Sequence, residues 1–179
     1  MPGVRLGARL LDPDSDGDRD ACQSFDFGSG EALEEVRRWI TEWLWDSTPG
    51  PRGETILVED LDLGHLVGFG TWRHRELSVG DHTETVIYIA WFGVDDAYQG
   101  RRTEEDRSIA STLFDTLEAR ARAHPSSTDD MCLMLEVHTD NTRARGFWEH
   151  LGFEYLDTVV VPVNERYRRM IRGAPMDGG

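Results

Sequence analysis

Glu136 is the residue most open to chemistry, because it is an acid set among Leu133, Leu135 and Val137. Strand alternation puts Cys132, Met134, Glu136 and His138 on one face and the three aliphatic residues on the other. An acid inside an apolar strand is a candidate general base, since withdrawal from water raises a carboxylate's affinity for protons. The same placement suits a structural ion pair with an arginine, and the spacing leaves both roles open. A second stretch runs from Gln99, Gly100 and Arg101 to Arg107, Ser108, Ile109 and Ala110, joining an apolar strand to a helix start. Amides at a helix N-terminus and its positive dipole end can hold a diphosphate without any particular side chain. Arg101, Arg102 and Arg107 place positive charge beside that start, and the alternative is a solvent loop with scattered arginines. The histidines at 65, 74, 82, 124, 138 and 150 lack metal-ligand spacing, and no metal is expected. Cys22 and Cys132 lie far apart and read as ordinary thiols.

The elements that must position these residues follow from apolar periodicity. Residues 3–11 read as a first strand. Over residues 31–45, Leu33, Val36, Ile40, Trp43 and Leu44 share one helical stripe, with Ser29 as the cap. Residues 55–59 and 66–72 form a hairpin across a polar turn, and residues 86–94 form a strand apolar on both faces, as a central strand requires. Ile109, Leu113, Leu117 and Ala121 mark a helix that Pro125 ends, and residues 131–138 form the strand carrying Glu136. Asn141 caps a short helix with Ala144, Phe147, Trp148 and Leu151 on one face, and Gly152 supplies its left-handed stop. Strands over about 153–161 and 165–171 close the chain. The order β-α-β-β-β-α-β-α-β-β implies an α/β domain around a mixed sheet.

The chain has 179 residues, of which 39% are hydrophobic, enough for one domain spanning 1–179. The acid-rich residues 12–18 read as a solvated loop rather than a linker. Acids outnumber basic residues 34 to 19, a net charge of −15 that opposes generic nucleic-acid binding and suits an amine or cationic substrate. Every basic residue apart from histidine is Arg, which carries no mechanism by itself. No apolar run reaches the roughly 20 residues of a membrane span, so a cytoplasmic protein without a membrane partner is expected.

Together the segment ending Phe92, Gly93 and Val94, the Tyr98 to Arg101 loop and the block from Leu135 to Phe153 resemble the GNAT superfamily of acyl-CoA-dependent N-acetyltransferases. That resemblance implies a GNAT-like mixed, mostly antiparallel central sheet flanked by helices, with splayed central strands. It implies acetyl-CoA as cofactor, with Phe92, Gly93 and Val94 at the strand end facing pantetheine. Gln99, Gly100, Arg107, Ser108, Ile109 and Ala110 match the phosphate loop, with Arg101 and Arg102 beside it. Asn141 and Phe147 would line the cofactor near its thiol. Glu136 matches a position used as base in some members, and Tyr88 and Glu84 on the central strand are alternative bases.

Two departures stand out. About six extra residues separate Gln99 and Gly100 from Arg107, and Ser108 and Ala110 replace the motif's later glycines. Residues 103–106 resemble a capping box, but the apolar stripe places the helix start at Ile109. Trp148 stands where many members have a Tyr that protonates the departing thiolate, which indole cannot do. A thiolate, with thiol pKa about 8.5, can leave without that acid, so the rate rather than the reaction type is affected. Phe25, Phe27, Gly28 and Leu33 are similar to a segment of some GNAT branches, including toxins that acetylate aminoacyl-tRNA, although Phe27 replaces a Cys there and the charge opposes tRNA docking. Trp39, Trp43 and Trp45 either wall the acceptor site or pack on the sheet, packing being the commoner role of such residues. The implied activity is acetyl transfer from acetyl-CoA to a primary amine of a small molecule, by a monomer or homodimer. The alternatives are a protein or peptide N-terminal acetyltransferase and a catalytically weakened CoA-binding module.

Overall fold

The strands expected from apolar alternation pair into one mixed sheet. The computed structural model describes residues 3–45, 53–79, 81–156 and 166–173. Its elements are β1 (Leu6–Leu10), α1 (Asp16–Gln23), α2 (Glu31–Thr41), β2 (Glu54–Asp60), β3 (His65–Val79), β4 (His82–Val94), α3 (Ile109–Arg122), β5 (Leu133–His138), α4 (Thr142–His150), β6 (Glu154–Tyr155) and β7 (Tyr167–Arg172). The sheet order is β1-β2-β3-β4-β5-β7-β6. β2 is antiparallel to both β1 and β3, and β7 is antiparallel to both β5 and β6. The β4–β5 pair is parallel, with rungs Ile87↔Leu133, Tyr88↔Met134 and Ile89↔Leu135. β4 itself continues to Val94 and β5 to His138.

The chain forms two compact units, one comprising Met1–Trp72 with Trp91–Arg120 and the other Arg73–Ala90 with Ala121–Gly179. In the first, Cys22, Phe25, Phe27, Ile40, Leu57, Leu66 and Phe69 form an apolar core. The α2 residue Trp39 stacks on Phe69 and on Trp91, with ring centroids 5.8 and 5.3 Å apart. Packing is therefore the role the structure gives Trp39, while the side chain of Trp43 lies outside the described residues. Val4, Val67, Tyr98 and Ile109 form a second cluster in that unit. In the other unit, Leu77, Val86, Tyr88, Cys132, Met134 and Ile171 pack together.

Several local expectations are corrected. The acid-rich residues 12–18 are not simply a solvated loop, because their second half opens α1. Ser15 caps that helix by accepting from the Asp18 amide at 3.2 Å, and Asp16 and Asp18 in the first turn suit the helix dipole. Asp18 is buried and takes a two-pronged ion pair from Arg9 of β1, with both contacts at 2.7 Å. Arg9 holds the Asp18 carboxyl below the usual carboxylate range. Ser29 does not cap α2, whose N-cap is Gly30 at φ +143° without a side-chain bond. β3 and β4 extend through polar residues that an apolar pattern does not mark. Of the closing strands, residues 154–155 and 167–172 are strand, while residues 157–165 lie outside the described residues. Among the described residues no helix is long and apolar enough to cross a membrane.

Removing the Asp18 carboxylate leaves the Arg9 guanidinium with Glu59 alone and unpins α1 from β1. Asp18→Asn is expected to cost about 2 kcal/mol in denaturant unfolding. Because the folded value of Asp18 is lowered, its contribution is present above the unfolded carboxyl range and is lost as pH falls through the folded value. The stability gap between wild type and Asp18→Asn should therefore narrow in acid.

Candidate active site

Glu136 sits on β5 one residue past the last parallel rung. Its register partner across the antiparallel ladder is Arg169 of β7, whose Nε donates to Oε1 at 2.9 Å. Arg75 of β3 donates to the same oxygen at 3.3 Å, and the Tyr88 hydroxyl donates to Oε2 at 3.3 Å. The carboxylate is 17% exposed and Arg169 12%, so water reaches the pair only at its edge. Of the two roles open to Glu136, the ion pair is present through Oε1, while Oε2 accepts only the Tyr88 hydroxyl among the described residues. Tyr88 is pushed up to about 12, by burial first and then by the Glu136 charge, so its hydroxyl stays protonated at neutral pH. The guanidinium carbons of Arg75 and Arg73 lie 4.8 and 5.4 Å from the Tyr88 ring centre.

Glu84 is not brought to this cluster. It lies four residues along β4 from Tyr88, about 13 Å by strand rise, on the Cys132 side. Arg73, Arg75 and Arg169 are the site residues that apolar patterning missed. The available signal was alternation beyond Trp72, which puts Arg73, Arg75 and Leu77 on one face of β3.

The other candidate residues lie on the strand end, the loop and α3. Gly93 has no room for a side chain, since a Cβ there would approach Phe69 to 2.9 Å. Gln99 donates its side-chain amide to the Val94 carbonyl at 3.1 Å, tying the loop back to the strand end. Gly100 takes φ +79°, a left-handed turn that glycine adopts without strain. The extra loop residues are folded rather than loose: Val4 bridges Thr103 in parallel, and Arg102 bridges Ser108. Thr103 accepts the Arg107 amide on its hydroxyl at 3.2 Å. α3 begins at Ile109, as the apolar stripe requires, and Ile109 itself is 1% exposed within the core. Ile109 therefore offers a ligand its backbone rather than its side chain, and first-turn amides have no intrahelical acceptor.

The arginine side chains of this loop are already engaged. Arg102 pairs with Asp106, Arg107 with Asp115, and Arg101 lies 4.7 Å over the Tyr98 ring. On α4, Asn141 caps the helix by accepting from the Ala144 amide at 3.0 Å. Trp148 is buried with its ring edge-on to Phe147 and Phe153, so at this position indole serves as core. Phe147 is half-buried beside it, as Phe92 is on β4. Among the described residues no cluster of His, Cys, Asp and Glu could hold a metal ion.

The profile of the acetyltransferase (GNAT) family matches residues 23–153. No curated protein matches the chain. Among solved structures, a tyrosine-to-phenylalanine mutant of the AtaT toxin, bound to the C-terminus of the antitoxin AtaR and acetyl-CoA, is 17% identical with a TM-score of 0.65. That likeness covers 94% of this chain and 92% of the other. Arabidopsis thaliana NAA60 in complex with a bisubstrate analogue is 16% identical, with a TM-score of 0.59 over 96% of this chain and all of that one. The NatC complex bound to Gag peptide and CoA is also 16% identical, with a TM-score of 0.57 over 96% of this chain and 100% of that chain. At these identities the likeness is one of fold, and the family match covers most of the chain. The chain belongs to the acetyltransferase (GNAT) family and is an acetyltransferase.

Proposed function

We propose that the chain moves an acetyl group from acetyl-CoA to a primary amine of a small molecule, with Glu136 accepting the amine proton. The observation that carries this reading is the Tyr88 to Glu136 hydrogen bond, placed one residue beyond the last rung of the parallel ladder. Acetyl-CoA is present in the AtaT structure of the same fold. The residues here fit it through backbone: the turn at Gly100, the Gln99 tie to Val94 and the first-turn amides of α3 suit a diphosphate. Phe92, Gly93 and Val94 would border the pantetheine arm. Arg102 and Arg107 pair with Asp106 and Asp115 at exposed positions beside this start, and the first-turn amides and helix dipole are the part of the grip that needs no side chain to move.

Bound acetyl-CoA supplies a thioester carbonyl that an uncharged amine attacks. Glu136 takes the proton released as the amine becomes an amide, at the open position of Oε2. Arg169 and Arg75 hold Oε1, fixing the carboxylate plane so that Oε2 keeps its position. Tyr88 donates throughout, since its phenol remains protonated across the working range. Trp148, sealed in its aromatic stack, gives no proton, and the thiol pKa of about 8.5 allows departure as thiolate.

Glu136→Gln preserves shape and removes the proton acceptor. It is expected to lower kcat/KM for the amine by about 10²- to 10⁴-fold while leaving the KM for acetyl-CoA within a few-fold, read by release of free thiol. Unchanged turnover would end the assignment.

Ultraviolet difference titration against Tyr88→Phe should show Tyr88 ionising near 12, and at lower pH in Glu136→Gln, because a charge that opposes the phenolate is gone. Since the folded value of this group is raised above its ordinary value of about 10, its contribution to stability is present below that value and is lost as pH rises through about 12.

A further inference from the structure

We infer that the acceptor amine carries a carboxylate, which docks against Arg73 beside Tyr88; this deepens the proposed reading of Glu136 and rests on it. Three guanidinium groups lie on this face of the sheet against the Tyr88–Glu136 pair. Arg75 and Arg169 share Oε1 of Glu136, and Arg73 lies over the Tyr88 ring. Among the described residues Arg73 has no acid within ion-pair distance, and its guanidinium rests on that ring. Glu84, the nearest acid along β4 on this face, stands four residues away from Tyr88. Arg73 and Arg75 are both half-buried, so their repulsion is only partly screened by water.

The imbalance is specific to the place. The chain holds 34 acidic residues against 19 basic ones, yet among the described residues Glu136 is the one acid that forms an ion pair with any of these three arginines. A cationic acceptor would meet a surplus of positive charge beside the group meant to take its proton. An acceptor with an amine and a carboxylate a few bonds apart meets complementary charge at both ends. The carboxylate accepts from the guanidinium of Arg73, whose central carbon lies 5.4 Å from the Tyr88 ring centre, and the amine points to Oε2 of Glu136. Amino acids are the smallest molecules with that pairing.

The test compares matched acceptors at saturating acetyl-CoA: amino acids, the amines left by removing their carboxylate, and the corresponding aminoalkyl phosphonates, each read by thiol release. The carboxylate-bearing member is expected to have the higher kcat/KM by about tenfold to a hundredfold. Arg73→Ala should shrink that ratio toward one, mainly through KM, and Arg73→Lys should restore part of it. Because the ratio is internal to each variant, a general loss of activity does not imitate the effect. Decarboxylated amines that serve equally well, or a ratio that Arg73→Ala leaves intact, would overturn this inference while the proposed transfer stands. A phosphonate preferred over its carboxylate would overturn the choice of anion. No thiol release from any member would overturn this inference together with the proposed transfer.

Discussion

β4 and β5 are joined by three parallel rungs, and both strands outrun them. Backbone groups that leave a ladder must find other partners, and those partners decide what the strand end can do. On the β5 side, the residue after the last rung is Glu136, held instead by β7 and by side chains of β3 and β4. On the β4 side, the strand runs on to Val94, whose carbonyl takes the Gln99 side chain and whose neighbour Gly93 leaves no space for a Cβ. The turn at Gly100, a folded loop and the start of α3 at Ile109 come next. Glu136 on β5 and the Gly93–Val94 end of β4 thus both lie past those three rungs.

Charge is distributed in a way the net value conceals. A total of −15 describes the whole chain, and in the loop after β4 Arg102 and Arg107 pair with Asp106 and Asp115. Around Glu136 the balance runs the other way, with two guanidinium groups on its carboxylate and a third, Arg73, over the neighbouring Tyr88 ring. Ion pairs fix side chains at a cost in desolvation, so this clustering is better understood as positioning than as a source of stability. It holds the Glu136 plane and the Tyr88 ring in register.

The core elements were legible because a two-sided apolar strand and a four-residue apolar repeat are each satisfied by one kind of backbone. Residues 86–94 and the stripe from Ile109 to Ala121 fall where the periodicity placed them, and Asn141 caps its helix as its side chain allows. α1 was missed because an aspartate-rich segment carries no apolar stripe, and its anchor is a long-range ion pair between Arg9 and Asp18. Arg73 and Arg75 were missed for a related reason: β3 goes on through polar residues, where alternation is written in charge rather than hydropathy. Pairing of Glu136 with arginine was one of two readings, and which arginines are involved depends on strand order, which no local pattern encodes. The acid-rich composition pointed toward a cationic acceptor, whereas the arginines around Tyr88 favour an anionic group on it.

Diffraction from crystals grown with acetyl-CoA tests the account most directly. The expected result is density for the diphosphate against the first turn of α3 and the Gly100 turn. Absence of density there at saturating acetyl-CoA, or a diphosphate gripped by Arg102 and Arg107 away from the helix start, would contradict it.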